Sequence, residues 1–147
     1  MAGRSYLKFK ITDTRHAKSN VRRYFVDWDT PVIRGRNWGQ RQFEVKQFLR
    51  KYWEDHIVLE EFIIPRSGKK SLDFLNLTLG QAIEVDGEHH FCYSEFWHKG
   101  KILNYYNQKL RDVEKERFCE LNQIDLIRIF PADPIDYNFF RSKGIIL

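Results

Sequence analysis

Thiols are nearly missing from this chain, and so is any long apolar run. Among 147 residues only Cys92 and Cys119 are cysteines. Two thiols cannot build a disulfide framework, and they form no Cys-x-x-Cys pair. A disulfide-stapled secreted scaffold and a dithiol redox centre are therefore both excluded, and the two cysteines read as reduced and without catalytic role. No apolar stretch approaches the roughly 20 residues of a membrane helix, and the N-terminus lacks the apolar segment of a signal peptide. The expectation is an intracellular, cytoplasmic protein with no membrane partner. Internal repeats and low-complexity tracts are also missing, which excludes a solenoid. Acidic residues are scarce in one region only. Residues 1–51 hold 13 Lys and Arg against 4 Asp and Glu, whereas the remainder holds 12 against 16.

What is present suffices for one domain: 42% hydrophobic and 16% aromatic residues fill a substantial core at this length. The net charge of +5 is concentrated in the first third. A basic third joined to a mildly acidic remainder suggests one part that holds a polyanion, most commonly nucleic acid, and another that holds a metal. Residues 1–40 interleave basic side chains, including Arg22, Arg23, Arg34 and Arg36, with aromatics such as Tyr6, Tyr24 and Trp38. That mixture suits phosphate contacts and base stacking, and equally suits a solvated arm whose aromatics cover the edge of the core. Lys69, Lys70 and Lys99 are further candidates for nucleic-acid contact.

Short strands are expected near residues 6–11 and 23–28, with a turn at 29–31. Residues 41–53 have a helical pattern, with Val45, Phe48, Leu49 and Tyr52 at i, i+3, i+4 and i+7. Strands follow at 57–64, 72–77 and 81–85 as a meander, then a loop at 91–103 that can reach a ligand. A helix over 104–121 should bury Tyr106, Leu110, Val113 and Leu121, with Lys109, Asp112 and Glu116 on another face. A strand at 126–130 and a short helix around 135–140 complete an α/β sandwich around a small mixed sheet. Three segments result: a basic extension (1–40), a core (41–131) and a tail (132–147).

The segment Ser71-Leu-Asp-Phe-Leu-Asn-Leu-Thr-Leu-Gly-Gln-Ala-Ile-Glu-Val-Asp-Gly-Glu-His-His90 carries the chemistry. With Gly80 as the turn, equal steps back along the two strands place Asp73 opposite Glu84. Alternation puts Glu84 and Asp86 on one side and Ile83 and Val85 on the other. Three carboxylates in one small volume repel unless a cation lies between them, and hard oxygen ligands select Mg²⁺, Mn²⁺ or Ca²⁺. Asp73 and Glu84 are the candidate metal ligands, Glu44 is an acid that can reach the site through water, and His89 or His90 can relay a proton. A zinc site from His89, His90, Cys92 and His98 is the weaker alternative, since their spacing matches no common zinc pattern.

The element order, with Glu44, Asp73 and Glu84 at these places, resembles the PD-(D/E)XK nuclease superfamily. Within it, Ile83-Glu-Val-Asp-Gly-x-x-His90, Lys109-x-x-Asp112-x-x-Lys115 and Leu126-Ile-Arg-Ile129 are most similar to the branch of very-short-patch-repair-type, phage and mobile-element endonucleases. The resemblance covers about residues 40–131. It implies a restriction-endonuclease-like core of helix, three-strand meander, helix and strand, with Mg²⁺ (or Mn²⁺) held by Asp73 and Glu84, Glu44 as accessory acid and His90 in proton transfer. Leu72 stands where the motif has proline, and Asp86 where it has its catalytic lysine. The repair-like branch lacks that lysine too, and Lys109 or Lys115 of the second helix, or His90, can take its part.

The resulting expectation is a metal-dependent DNA endonuclease in which a metal-activated water hydrolyses the phosphodiester bond. RNA remains open as a substrate. So does a homodimer, which two-strand cutting favours although no heptad is visible. Two rival expectations are a non-catalytic nucleic-acid-binding module on the same fold, and an interaction subunit that binds protein through residues around Trp97 and 137–140.

Overall fold

A computed structural model of the chain describes residues 5–34, 37–68, 70–85 and 102–147. Five candidate site residues, Arg36, Lys69, Asp86, His90 and Lys99, lie outside the described residues. His89, Cys92, His98 and Trp97 lie outside them too. The chain opens with a hairpin of β1 (Tyr6–Thr12) and β2 (Lys18–Tyr24), followed by the two-residue strands β3 (Ile33–Arg34) and β4 (Asn37–Trp38). Helix α1 (Gln40–Trp53) leads into β5 (Val58–Ile63), β6 (Ser71–Asn76) and β7 (Gln81–Val85). Helix α2 (Ile102–Leu121), β8 (Asp125–Ile129) and α3 (Tyr137–Ser142) complete the order. The main sheet runs β5-β6-β7-β8, antiparallel except for the parallel β7–β8 pair. The architecture is thus mixed α/β, with a four-stranded mixed sheet and three helices among the described residues.

The sheet separates two apolar clusters. On one face Val45, Leu49 and Trp53 of α1 pack with Phe74, Ile83, Ile127 and Ile129, closed by Phe140 of α3 and by Ile145. Asp136 caps α3 by accepting the Phe139 N–H at 2.8 Å, and the Trp53 indole donates to the Ile146 carbonyl at 2.9 Å. The C-terminal residues therefore seal the α1 face. On the other face Leu75 and Ala82 pack with Phe118 and Cys119 of α2 and with Ile11 and Val21 of the hairpin.

Two sequence expectations need correction. The strand expected over 23–28 is instead β2 at Lys18–Tyr24, and the chain beyond it meets the sheet edge through a single Phe25–Leu59 bridge. More consequentially, Tyr106, Leu110 and Val113 are 56%, 62% and 58% exposed rather than buried. The inward side of α2 carries Asp112, Phe118 and Cys119, with the Lys115 side chain only 13% exposed. Apolar periodicity fails here because the middle of α2, at Asp112, Lys115 and Glu116, meets charged groups of the sheet, and Phe118 and Cys119 near its end cover apolar ones.

The β1–β2 turn is built around Asp13. Its carboxylate accepts the N–H groups of Arg15 and Ala17 at 2.9 and 3.1 Å and the Ser19 hydroxyl, with Arg66 Nε 3.2 Å away. Burial acts to raise the Asp13 pKa, but the Ala17 and Arg15 amides, Ser19 and Arg66 outweigh it and hold the group below the ordinary carboxylate range. A depressed folded pKa gives stability that is present above the unfolded value of about 3.9 and is lost as pH falls through the folded one. Thermal melts should therefore show the wild type losing stability faster than Asp13→Asn between about pH 5 and pH 2. Parallel curves would mean that the turn does not depend on this charge.

Candidate active site

Asp73 sits where β6 loses regular pairing on both sides. Toward β5 the register runs Glu60↔Phe74 and Phe62↔Leu72, and between them Glu61, at the step opposite Asp73, has a left-handed φ of 51°. Positive φ is uncommon for a residue other than glycine, and here it interrupts the ladder. Glu61 is held by Gln42 of α1, whose Nε2 donates to Glu61 Oε1 at 3.0 Å. Toward β7 the last paired residues are Phe74↔Ile83, and Asp73 and Glu84 stand one step beyond them. Gly80, at φ 70°, closes the β6–β7 turn, so the equal-step count from that turn to the two acids holds.

At this step each acid takes over a backbone bond of the opposite strand. The Asp73 N–H donates to Glu84 Oε1 at 2.8 Å, and the Val85 N–H donates to Asp73 Oδ2 at 2.8 Å. The two residues are 8% and 3% exposed. Strand alternation places both on the side of Leu75 and Ala82, under α2. From α2 the Lys115 ammonium reaches Glu84 Oε2 at 2.9 Å.

The row continues onto β8, where Arg128 pairs in register with Glu84. Its guanidinium nitrogens lie 3.6 Å from Asp112 Oδ1 and 3.6 Å from Glu116 Oε1 on α2. Asp73, Glu84 and Arg128 thus cross three neighbouring strands, with Asp112, Lys115 and Glu116 above them. Buried ion pairs are seldom more stable than well-packed apolar groups of similar size. A charged row at this depth therefore adds little stability over an apolar one. Cys119, at the inner border of the row, is no nucleophile: burial, with the charge of Glu84 added, pushes its thiol up to about 12.

Glu44 is not brought to the pair. Its carboxylate accepts from Gln40 Nε2 at 3.4 Å, has Arg41 4.0 Å away, and is half exposed just past the first turn of α1. Lys109 is on α2 six residues before Lys115, and the ammonium that pairs with Glu84 is that of Lys115. Arg22 and Arg23 face opposite ways. Arg22 points outward, whereas Arg23 donates from Nε and Nη2 to the Ile63 carbonyl at 3.0 and 2.7 Å and lies over the Phe62 ring. Burial lowers the Arg23 pKa. Lys70 is ion-paired to Glu114, joining the β5–β6 turn to α2. Arg34 and Trp38 lie in β3 and β4.

Arg128 and Glu61 are the site residues that sequence reasoning assigned no part. Arg128 does stand within Leu126-Ile-Arg-Ile129, one of the motifs that carry the family resemblance, but no role was attached to it there. Nothing in the sequence marks the left-handed turn at Glu61.

Mg²⁺ usually takes one or two protein carboxylates and fills its remaining positions with water and substrate phosphate. Two adjacent hard-oxygen donors fit that requirement, although no group of three or more His, Cys, Asp or Glu able to hold a metal occurs among the described residues. The donor set does not suit zinc, which favours thiolate and imidazole. No helix among the described residues is long and apolar enough to cross a membrane.

No protein-family model matches the chain, and no solved structure matches it. The chain is 34% identical over 58 residues to the uncharacterized protein 033L of Invertebrate iridescent virus 3. The match covers 40% of this chain and 29% of the viral protein, so the chain spans under a third of the length of that relative.

Proposed function

We propose that the protein is a divalent-metal-dependent DNA endonuclease with a restriction-endonuclease-like core formed by α1, β5, β6, β7, α2 and β8. The observation that carries this reading is the reciprocal bracing of Asp73 and Glu84 where the β6–β7 ladder ends, with Lys115 against Glu84. Asp73 and Glu84 would hold the metal, Mg²⁺ or Mn²⁺. When bound, the metal makes water a better nucleophile near neutral pH and stabilises charge on a phosphate. The protein groups do the remaining work. The backbone bonds from Asp73 N–H and Val85 N–H fix one oxygen of each carboxylate and so aim the other. Lys115 supplies positive charge beside Glu84, as the lysine missing from position 86 would, and Arg128 supplies the charge that Asp112 and Glu116 face.

A second reading, a nucleic-acid-binding module without catalysis, is favoured by one feature: Lys115 already neutralises Glu84 from within the chain. Supercoiled plasmid incubated with the protein in Mg²⁺, Mn²⁺ or EDTA separates the two. Metal-dependent nicking or linearisation, lost in Glu84→Ala, is the expected outcome. Gel shifts without cutting, on branched and mismatched DNA as well, would select the binding module.

A further inference from the structure

Several cations of this protein are matched by carboxylates: Lys46 with Glu60, Arg50 with Asp29, Arg66 with Asp13, Lys70 with Glu114 and Lys115 with Glu84. Those on the outward face of the β1–β2 ribbon, like some exposed cations elsewhere, are not. Alternation along the hairpin sends Leu7, Phe9, Ile11 and Val21 to the core and leaves Tyr6, Lys8, Lys10, Lys18, Arg22 and Tyr24 exposed. Neither strand contains an Asp or Glu, and none of the four cations has a carboxylate partner among the described residues. In the register Lys8 lies opposite Arg22, and Thr12 opposite Lys18, whose ammonium donates to the Thr12 hydroxyl at 2.8 Å. Lys8, Lys10, Asn20 and Arg22 line a shallow groove on this face.

Two features distinguish it from a merely solubilising surface. Tyr6 and Tyr24 are each 44% exposed, with ring centroids 6.4 Å apart and edge to face, and the Arg22 guanidinium lies 4.8 Å over the Tyr6 ring. Exposed rings are poor solubilising groups, whereas an arginine stacked on an aromatic ring is held ready for a phosphate. The ribbon is also anchored. Asn122, just past α2, accepts the Thr12 N–H at 2.9 Å and donates to the Thr12 carbonyl at 2.8 Å, while Arg66 holds Asp13 and Arg23 holds the Ile63 carbonyl. Its inner side rests on the same face of the sheet that carries Asp73 and Glu84. Rows of like charge on a preorganised ribbon lose little freedom on binding a polyanion.

We infer that the outward face of β1–β2 is the docking surface for duplex DNA, gripping the phosphate backbone through Lys8, Lys10, Lys18 and Arg22. The choice of DNA rests on the proposed function; the surface itself rests on the unmatched cations. Same-side residues along a strand repeat every ~7 Å, and a two-stranded ribbon is narrow enough to lie along or within a major groove about 12 Å wide. Arg23 takes no part, because it is spent on Ile63.

The test is fluorescence anisotropy with a labelled duplex of about 20 base pairs, in EDTA so that no cutting intervenes, at roughly 50–200 mM salt. Each phosphate contact contributes about 0.9 to the slope of log affinity against log salt, so Lys8→Gln/Lys10→Gln/Lys18→Gln/Arg22→Gln protein should show a slope shallower by about 3.6. The matched control, Lys51→Gln/Arg111→Gln/Arg117→Gln/Arg141→Gln, removes the same charge from exposed sites elsewhere and should leave the slope within about one contact of wild type. An unchanged slope in the ribbon variant, or an equal fall in the control, would overturn the inference. Thermal melts establish that both variants fold. Because the readout is binding without metal, a failed plasmid assay leaves this result standing, and a protein that cuts with an unchanged slope refutes the ribbon alone.

Discussion

Glu84→Gln protein is expected to fold and to bind DNA, yet to cut it about 10²–10³-fold more slowly, the scale of losing one group that stabilises charge in a reacting centre. The substitution is chosen for what it keeps. A glutamine Oε1 still accepts the Asp73 N–H that Glu84 accepts at 2.8 Å, so the strand end stays in place and only the negative charge is lost. Lys115 then loses its partner, but its flexible stem lets the ammonium turn toward water. Asp73→Ala should lose activity likewise, with DNA binding kept or improved, because a buried negative charge no longer opposes the phosphates. Lys115→Met probes the other half of the pair. If Lys115 supplies the missing motif charge, cleavage falls by about 10²-fold, the upper end for outer partners of a metal site, and the Mg²⁺ concentration for half-maximal rate falls as well, since the ammonium no longer competes for Glu84 Oε2. A Lys115→Met enzyme with wild-type rate and metal dependence would assign the lysine to packing alone. Undiminished cutting by Glu84→Gln would remove the metal site from this place.

What was legible in the sequence follows from short-range geometry. Asp73 and Glu84 could be placed opposite each other because a single glycine turn separates them and β pairing counts in equal steps. The order of helix, meander, helix and strand was equally readable, from apolar runs of helix or strand length bounded by turn residues. The partners of the acids were not. Lys109 and Lys115 look alike in a helical pattern, and which of them reaches Glu84 depends on how α2 crosses the sheet. The same crossing exposes Tyr106, Leu110 and Val113, whose spacing alone suggests a buried stripe. Arg22 and Arg23 are adjacent and chemically identical, and their opposite destinations depend on where β2 begins. Glu44 has the position that the family resemblance assigns to an accessory acid, but its observed partners are Gln40 and Arg41. Tertiary geometry decides each of these, and local pattern does not contain it.

Lys46→Met should cost about 3–5 kcal/mol of unfolding free energy, the range for removing one partner of a buried ion pair. Lys46 precedes Leu49 and Trp53 by three and seven residues, so it falls on the inward stripe of α1, and its side chain is wholly buried. There the ammonium pairs with Glu60 of β5 and donates to the carbonyls of Asp27 at 2.9 Å and Thr30 at 2.5 Å. One side chain thus joins the helix, the sheet and the segment that follows the hairpin. Methionine fills similar volume, so little of the loss comes from a cavity; it comes from a buried carboxylate deprived of its ammonium and from two carbonyls deprived of their donor. For a chain of this size that corresponds to a fall in melting temperature of roughly 6–20 °C. Urea unfolding of a four-member set tests the assignment. If the ion pair is the cause, Lys46→Met/Glu60→Met is clearly more stable than the sum of its single variants predicts, since the double change removes both buried charges. Additive losses would locate the cost in the Asp27 and Thr30 carbonyls. A loss below about 1 kcal/mol in Lys46→Met, no more than an ordinary surface substitution with a lost hydrogen bond, would show that Lys46 reaches water in solution.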